Sequence, residues 1–253
     1  MFDVQIDESY IVEQSGTSEG TQIKYKKDDY WYKLDSRGRE GYCEYLVSKL
    51  LTFTNLEPWE YIVYEQGYIN GKPGCRSKNY LCGDDEFITI YRMYYNEFGR
   101  NLAKITATME TMEERIDYVT RFVKESTGVD PTEYFRKVFT LDGITLNEDR
   151  HFNNLALIYC EGQYRCAPIF DNGVSLLTAN QSVNWNFDIK ENVKRVVAKP
   201  FSGSHRKMYE YFGKGFDVDY KGVIDWLENE PPSKERNVLI YQVEIINNNL
   251  QNS

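Results

Sequence analysis

The spacing of apolar residues changes along the chain, and this change restricts the possible folds more than any other feature. In the first third, apolar and polar residues mostly alternate, as in the opening stretch Phe2 to Ile6 and later in TQIKYKK and DDYWYKLD. A period of two is typical of strands, and these stretches predict a small antiparallel sheet. The stretch from Arg39 to Phe53 instead has helical spacing, and two further strand patterns, WEYIVYEQGY and CRSKNYL, follow around the turn signal INGKPG.

After the first third the pattern becomes mainly helical. A capping box at Thr111 and Glu114 predicts the start of one helix, and Gly128 predicts its end. The stretch DPTEYFRKVF predicts a second helix, with Asp130 as its N-cap and Pro131 in its first turn.

The rest of the chain alternates between a short β region, an irregular segment and more helices. LALIY and YRCAPI predict a hairpin around Glu161 and Gly162. Residues 172–200 have weak periodicity and predict a long surface segment, after which HRKMYEYFG, YKGVIDWLENE and NVLIYQVEIINNNLQ predict helices. The sequence therefore predicts an α+β chain, mostly β over residues 1–83 and mostly helical over residues 84–253.

Charge and cysteine usage limit the partners and the compartment. The net charge of -9 disfavours a surface made for nucleic acid or for an anionic membrane. The five cysteines are an odd number without a CxxC pair, which favours reduced thiols. The sequence has neither the layout of a signal peptide nor an apolar run of membrane-spanning length. We therefore expect a cytoplasmic protein without a direct nucleic-acid or membrane partner.

A polar loop, LNEDRHFNNLALIY, leads into the predicted hairpin. Because Asn and Asp also collect in ordinary turns, the loop alone leaves a purely structural role open. Asp149 and Asn154 are, however, five positions apart, as are the catalytic Asp and the metal-binding Asn of protein kinases. Asp171 follows the hairpin and ends an apolar strand, where kinases keep their main magnesium ligand. Together these residues predict the carboxylates and oxygen ligands that phosphoryl transfer requires.

Phosphoryl transfer also requires a cation on the phosphates. Lys33, in the strand YWYKLD before the first helix, occupies the position of a kinase's ATP-binding lysine. Glu40 and Glu44 lie four residues apart on that helix, so their spacing leaves open which of them pairs with Lys33. The structural alternatives are that Lys33 is an exposed lysine on an edge strand and that Glu40 and Glu44 lie on a solvated helix face.

These separated motifs resemble those of the HipA-type serine/threonine kinases, which are bacterial toxin kinases. The family's D-x-H-x-x-N loop is matched by Asp149, His151 and Asn154, and its magnesium segment by Ala167, Pro168, Phe170 and Asp171. The resemblance covers residues from about 15 to 205. It implies a bilobal fold like that of protein kinases and phosphoinositide 3/4-kinases, with a small, mostly β N-lobe (residues 1–83) and a mostly helical C-lobe (residues 84–253).

The resemblance also assigns the nucleotide site. The family's phosphate-loop pattern G-x-Q-x-K is matched at Gly20, Gln22 and Lys24. The helix REGYCEYLVSKLL aligns Glu40, rather than Glu44, with the family's glutamate, so Glu40 is the implied partner of Lys33. The stretch RSKNYL aligns near the hinge that holds adenine, which implies contacts from Lys78, Asn79, Tyr80 and Leu81.

The activity that the resemblance implies is transfer of phosphate from ATP to a protein serine or threonine, with Mg²⁺ as cofactor. Asp149 would accept the proton of the hydroxyl, Asn154 and Asp171 would hold the metal, and Lys33 would bind the phosphates. The family also implies autophosphorylation in the phosphate loop, here at Ser15, Thr17 or Ser18. A phosphate there would repel ATP by like charge.

Two departures from the family bear on partners. Asn153 stands where the family often has Lys, and only about fifteen residues precede the phosphate loop, so the chain resembles a compact member. Larger members associate with a DNA-binding antitoxin, which makes an antitoxin a possible partner beside ATP and a protein substrate. Two alternatives stay open: a small-molecule or lipid kinase on the same fold, and a nucleotide-binding pseudokinase without turnover.

Overall fold

The computed structural model describes residues 1–12 and 22–251, with side chains up to residue 248. Within these residues the strands are β1 Phe2–Val4, β2 Lys24–Lys27, β3 Tyr30–Leu34, β4 Tyr64–Ile69, β5 Lys72–Lys78, β6 Glu86–Thr89, β7 Ala156–Cys160 and β8 Gln163–Cys166. The α-helices are α1 Glu40–Leu51, α2 Ile90–Phe98, α3 Leu102–Thr106, α4 Met112–Thr127, α5 Thr132–Thr145, α6 Ile189–Val193, α7 His205–Phe212, α8 Tyr220–Asn229 and α9 Lys234–Gln251. Short 3₁₀ turns occur at Glu8–Tyr10 and Phe152–Asn154. No helix in this part of the chain is both long enough and apolar enough to cross a bilayer.

The first third forms a five-stranded sheet in the order β1-β4-β5-β3-β2, with α1 packed against β4 and β5. Four of the strands pair antiparallel, as predicted. β1 is different, because it pairs in parallel with β4, placing Phe2 opposite Gly67. The expectation of a wholly antiparallel sheet was therefore wrong at this edge, where the partner strand lies some sixty residues further along the chain.

A second, three-stranded sheet has the order β6-β7-β8 and is antiparallel. The β7–β8 hairpin turns at Glu161 and Gly162, both with positive φ (48° and 84°), as predicted from the sequence. β6 was not predicted, since this region was interpreted as helical. It precedes α2 directly and pairs with β7, with Thr89 opposite Ala156.

The helices follow their predicted end signals closely. Thr111 and Glu114 form a reciprocal capping box at the start of α4, and Gly128 ends the helix in the left-handed conformation with φ of 76°. α5 begins one residue later than predicted, with Pro131 as the N-cap residue. Asp130 still satisfies the helix start, because its carboxylate accepts a hydrogen bond from Thr132 N at 3.1 Å.

Residues 172–200 were predicted to be a long surface segment, and this expectation is only partly right. The segment is mostly irregular and carries the short helix α6. Its beginning is buried, however, and Asn172, Ser175 and Leu176 are fully inaccessible to solvent. The reason is that this beginning packs between α1 and the loop after α5: Cys43 Sγ lies 3.5 Å from Ser175 O, and Leu176 N donates to Thr145 O at 2.9 Å.

One large apolar cluster joins α1 to the helices of the second half of the chain. It includes Leu46 and Leu50 of α1 together with Phe135 and Phe139 of α5, all within 1% exposure. The segment between β8 and residue 171 is also hydrogen-bonded to the chain just before β4. In this contact Ile169 N donates to Glu60 O at 2.7 Å. Residues after β8 are thereby held beside the five-stranded sheet.

Candidate active site

A buried lysine forms the centre of the site. Lys33 is on β3 and is 9% exposed, and its Nζ lies 2.8 Å from Glu44 Oε1 and 2.8 Å from Asp171 Oδ1. Burial lowers the pKa of Lys33, but the carboxylates of Asp171 and Glu44 outweigh it and hold that pKa well above the usual range. The ammonium group is therefore charged at neutral pH, in a position fixed from two sides.

Glu44, and not Glu40, is the residue that α1 presents to Lys33. Glu44 is 1% exposed, and its second oxygen, Oε2, accepts from Asn172 N at 2.9 Å. Burial raises the pKa of Glu44 and the Lys33 charge lowers it, with a net rise. Glu44 thus connects the lysine on the sheet with the chain segment that carries Asp171.

Glu40, which the family resemblance assigns to Lys33, instead holds the loop before the helix. Its carboxylate accepts hydrogen bonds from Ser36 N (3.1 Å), Arg37 N (2.7 Å) and Gly38 N (3.1 Å). Glu40 is the first residue of α1, and side chains of a helix lean toward its N-terminus. A side chain at this position therefore reaches back to the preceding loop, whereas Glu44, one turn later, lies over the sheet.

Two glycines allow close packing around Lys33, one between α1 and β5 and the other between β5 and β3. A Cβ on Gly41 would come within 2.5 Å of Gly74 C, and a Cβ on Gly74 would come within 2.2 Å of Lys33 O. Any side chain at either position would separate the helix, β5 and β3. The short distance between Lys33 and Glu44 depends on this close packing.

Asp171 lies at the end of the segment that follows β8. Its backbone has φ of 58°, an uncommon conformation for a residue other than glycine. Burial raises the pKa of Asp171, but the charges of Lys33 and Lys24 act more strongly and bring that pKa far below the usual range. Asp171 is consequently an ionised carboxylate at the mouth of the site.

The loop after α5 contributes Asp149 and Asn154. Asn154 is buried, and its Nδ2 donates to the backbone carbonyl of Asp149 at 2.9 Å, which fixes the two residues relative to each other. The Asp149 carboxylate is partly exposed and accepts a hydrogen bond from Lys199 Nζ at 2.9 Å. The loop therefore presents one accessible carboxylate and one oriented amide.

Arg150 connects this loop to the Asp171 segment. It is fully buried and makes a two-pronged ion pair with Asp142 of α5, at 2.9 Å and 3.0 Å. The same guanidinium donates to Phe170 O at 2.7 Å, to Asn172 Oδ1 at 2.5 Å and to Asn154 O at 3.3 Å. Arg150 thus holds both the residues on either side of Asp171 and the end of the loop that carries Asp149.

The donor atoms of Asn154 and Asp171 suit a hard divalent cation such as Mg²⁺. The Nδ2 of Asn154 donates within the loop, so its Oδ1 stays available to a metal. In Asp171, Oδ1 accepts from Lys33 and Oδ2 stays available. Neither available oxygen accepts a hydrogen bond from the described residues. Among those residues, no group of three or more His, Cys, Asp or Glu side chains converges on one point. Mg²⁺ fits such a sparse oxygen site, because it commonly keeps water and takes its remaining ligands from substrate phosphates.

The residues aligned with the phosphate loop are only partly described. Lys24 begins β2 directly opposite Lys33, and its charge contributes to the low pKa of Asp171. Gln22 lies just before this strand. Gly20, together with the candidate phosphorylation positions Ser15, Thr17 and Ser18, lies outside the described residues.

The stretch aligned with the adenine-binding hinge connects the two sheets. Lys78 ends β5, and Asn79 is fixed by a hydrogen bond from Trp31 Nε1 at 3.1 Å and by its own donation to Leu81 O at 2.9 Å. Tyr80 packs on Phe87 of β6 with ring centres 6.0 Å apart. The phenol of Tyr80 is near enough to Lys33 and Asp171 for both charges to affect its pKa, which burial raises above the usual range.

Three residues of the site were missed in the sequence. Arg150 stands between two motif residues, but a loop arginine is usually solvated and gives no sign of burial. Asn172, next to Asp171, matches an ordinary turn, and Lys199 lies in a segment without periodicity. Only the neighbouring motif residues could have drawn attention to the first two.

Comparison with known proteins supports the fold. No family model matches the sequence, and no curated protein matches it. Among solved structures, the proinflammatory kinase CtkA of Helicobacter pylori matches with a TM-score of 0.61 at 13% identity, over 88% of each chain. HipA of Shewanella oneidensis, in a complex with HipB and operator DNA, matches with a TM-score of 0.43 at 8% identity, over 94% of this chain and 66% of that chain. The mixed α+β architecture is thus the fold of a known kinase, and the resemblance of this chain to HipA-like kinases is confirmed at the level of the fold.

Proposed function

We propose that this protein is an ATP- and magnesium-dependent serine/threonine protein kinase of the HipA-like type. Its fold would be the form shared with phosphoinositide 3/4-kinases, with an N-lobe of residues 1–83 and a C-lobe of residues 84–253. The proposal rests mainly on one observation: Lys33 Nζ contacts the carboxylates of Glu44 and Asp171 at 2.8 Å each, and Asp171 lies 138 residues further along the chain. A cation held between a helix carboxylate and a candidate metal ligand is the arrangement that kinases use on ATP.

Each residue has a role in the proposed reaction. Lys33 binds the α- and β-phosphates, and Glu44 holds Lys33 in place. The acceptor hydroxyl forms a bond to the γ-phosphorus while the bond from that phosphorus to the ADP oxygen breaks, and Asp149 takes the hydroxyl proton. When bound by Asn154 and Asp171, Mg²⁺ supplies neutralisation of phosphate charge.

The nucleotide would lie between the two sheets. Lys24 and Gln22 border the phosphates with Gly20, and Lys78 to Leu81 border the adenine. Autophosphorylation at Ser15, Thr17 or Ser18 and an antitoxin partner are proposals that rest on the family resemblance alone.

The test is incubation of the purified protein with magnesium and γ-labelled ATP, followed by mass and phosphosite analysis. Label on serine or threonine is expected for the wild type, with a loss of roughly 100-fold or more for Asp149→Asn and for Asp171→Asn. Asp225→Asn is the matched control, because Asp225 is an exposed helix residue whose carboxylate pairs, among the described residues, with Lys221 alone. Asp149→Asn should still bind ATP, since the acceptor step is separate from nucleotide binding.

Equal transfer by wild type and Asp149→Asn would remove Asp149 from the proposal. Magnesium-dependent ATP binding without transfer to protein would instead favour a small-molecule acceptor or a nucleotide-binding module without turnover.

A further inference from the structure

A cavity of about 360 Å³ is lined in part by Lys199, the residue that donates to the Asp149 carboxylate. Its walls combine basic side chains with small residues: Arg115, His151 and Lys199, and Ala103, Thr106 and Ala107. Two of the basic residues also adjoin Asp149, because Lys199 Nζ is 2.9 Å from its Oδ1 and His151 Nε2 is 3.9 Å from its Oδ2. A group bound in this cavity would thus lie beside the proposed catalytic base.

The charge of the cavity is opposite to that of the chain. The protein carries a net charge of -9, yet no Asp or Glu is among the described residues that line this cavity. The two cations and the histidine are therefore concentrated where an acceptor must approach. Low-dielectric walls strengthen the field of such a cluster on a bound charge.

Hydrogen-bond donors of the cavity residues are also incompletely used. Arg115 donates through its terminal nitrogens to Phe201 O at 3.0 Å and to Met109 O at 2.9 Å, but its buried Nε has no partner among the described residues. The buried Nδ1 of His151 likewise has none there. Buried polar groups without partners are uncommon in folded proteins, so these two side chains of the cavity wall are incompletely satisfied among the described residues.

We propose that this cavity binds an anionic side chain of the acceptor protein, next to the serine or threonine that receives the phosphate. Guanidinium and ammonium groups bind carboxylates and phosphates through charge-assisted hydrogen bonds, so an acidic residue and a previously phosphorylated residue share the required chemistry. The volume is at the small end of the range for ligand pockets and has room for one such side chain. This inference rests on the proposed function, because it names the class of substrate for the same site.

The test uses serine peptides that differ at one neighbouring position, which carries Asp, phosphoserine, Asn or Lys. The kcat/KM for the Asp and phosphoserine peptides is expected to exceed that for the Asn peptide by about tenfold, and the Lys peptide should be poorest. A larger value for phosphoserine than for Asp would identify a primed acceptor, and equal values would show that a carboxylate suffices. Both results support the proposal.

Charge placed in the cavity wall should change this preference. Ala107 is exposed at the end of α3, so Ala107→Glu adds a carboxylate without removing a contact of the core, and it should abolish the preference for acidic peptides. Thr108→Glu is the matched control, because it adds the same charge one residue further along, outside the cavity lining. An unchanged preference in Ala107→Glu, or an equal loss in Thr108→Glu, would overturn the proposal.

Binding measured separately from turnover distinguishes this inference from the proposed function. Fluorescence anisotropy of the same peptides with Asp149→Asn should rank acidic above neutral peptides. If acidic peptides bound more tightly than neutral ones but the wild type transferred no phosphate to any peptide, the result would support the cavity proposal and count against kinase activity. Transfer to all peptides with equal kcat/KM, or equal binding of all peptides, would overturn the cavity proposal.

Discussion

At the scale of single residues, the site depends on which carboxylate accompanies Lys33. Two glutamates one turn apart on the same helix are nearly equivalent in the sequence, yet the structure gives them different tasks. Glu40 organises the loop that enters α1, and Glu44 forms the ion pair with Lys33. The difference comes from the start of the helix, which the hydrophobic pattern places only approximately.

Exchanging each glutamate for glutamine should separate these tasks. Glu44→Gln leaves Lys33 with a single carboxylate, so we expect kcat/KM for ATP to fall by about 100-fold through misplacement of the lysine. Glu40→Gln keeps the Lys33 pair and should retain turnover, while lowering the free energy of unfolding by about 1–3 kcal/mol because the loop amides lose a carboxylate. Steady-state kinetics and urea unfolding measure the two effects. Loss of turnover in a stable Glu40→Gln protein would contradict the assignment.

Four residues of the candidate site could be proposed from the sequence because the signals that mark them are local. Asp149 and Asn154 have a fixed spacing, Asp171 follows a strand and a hairpin, and Lys33 lies in a short strand before a helix. Arg150 could not be predicted in this way, since its importance arises from complete burial against two other segments, α5 and the residues on either side of Asp171.

At the scale of elements, local signals predicted the strand β1 and the helices α1, α4, α5, α7, α8 and α9, but missed the strand β6. α4 carries its capping box and its terminal glycine in its own sequence, so it needs no tertiary information. β6 has only four residues and leads directly into α2, so its alternation cannot be distinguished from chance in a mainly helical region. The parallel pairing of β1 with β4 is likewise invisible locally, because the partners are far apart in the chain.

The close approach of β5 to β3 gives a prediction for Gly74. Gly74→Ala would place a Cβ 2.2 Å from Lys33 O, so β5 must move away from β3. We expect a loss of about 1–3 kcal/mol in the free energy of unfolding and weaker magnesium-dependent ATP binding, because the strand that carries Lys33 shifts. Urea unfolding and nucleotide titration provide the measurements.

Gly143→Ala is the matched control for this substitution. Gly143 lies inside α5 with no atom within 4 Å of the new Cβ, so alanine should stabilise the protein by up to about 1 kcal/mol and leave ATP binding unchanged. Similar stability and binding in the two variants would show that the approach of β5 to β3 is less constrained than the contacts indicate.

At the scale of the whole molecule, Arg150 links parts that are remote in the sequence. Through Asp142 it is anchored to α5, and through the carbonyls of Phe170 and Asn154 it holds the two segments that carry the proposed metal ligands. The Asp171 segment is in turn connected to the five-stranded sheet through Lys33 and Glu44. The geometry of the site is therefore set by a connected series of charged and polar groups that runs from Lys33 and Glu44 through Asn172 to Arg150 and Asp142.

Replacing the buried ion pair should separate stability from turnover. Arg150→Met leaves the inaccessible Asp142 carboxylate without a cation, and we expect a loss of about 3–5 kcal/mol in the free energy of unfolding. Adding Asp142→Leu removes that uncompensated charge and should restore most of the stability. Turnover should stay low in the double variant, because neither methionine nor leucine can donate to the Phe170 and Asn154 carbonyls. If the folded double variant regained wild-type turnover in the labelled-ATP assay, Arg150 would serve stability alone, and the positions of Asn154 and Asp171 would be set by other contacts.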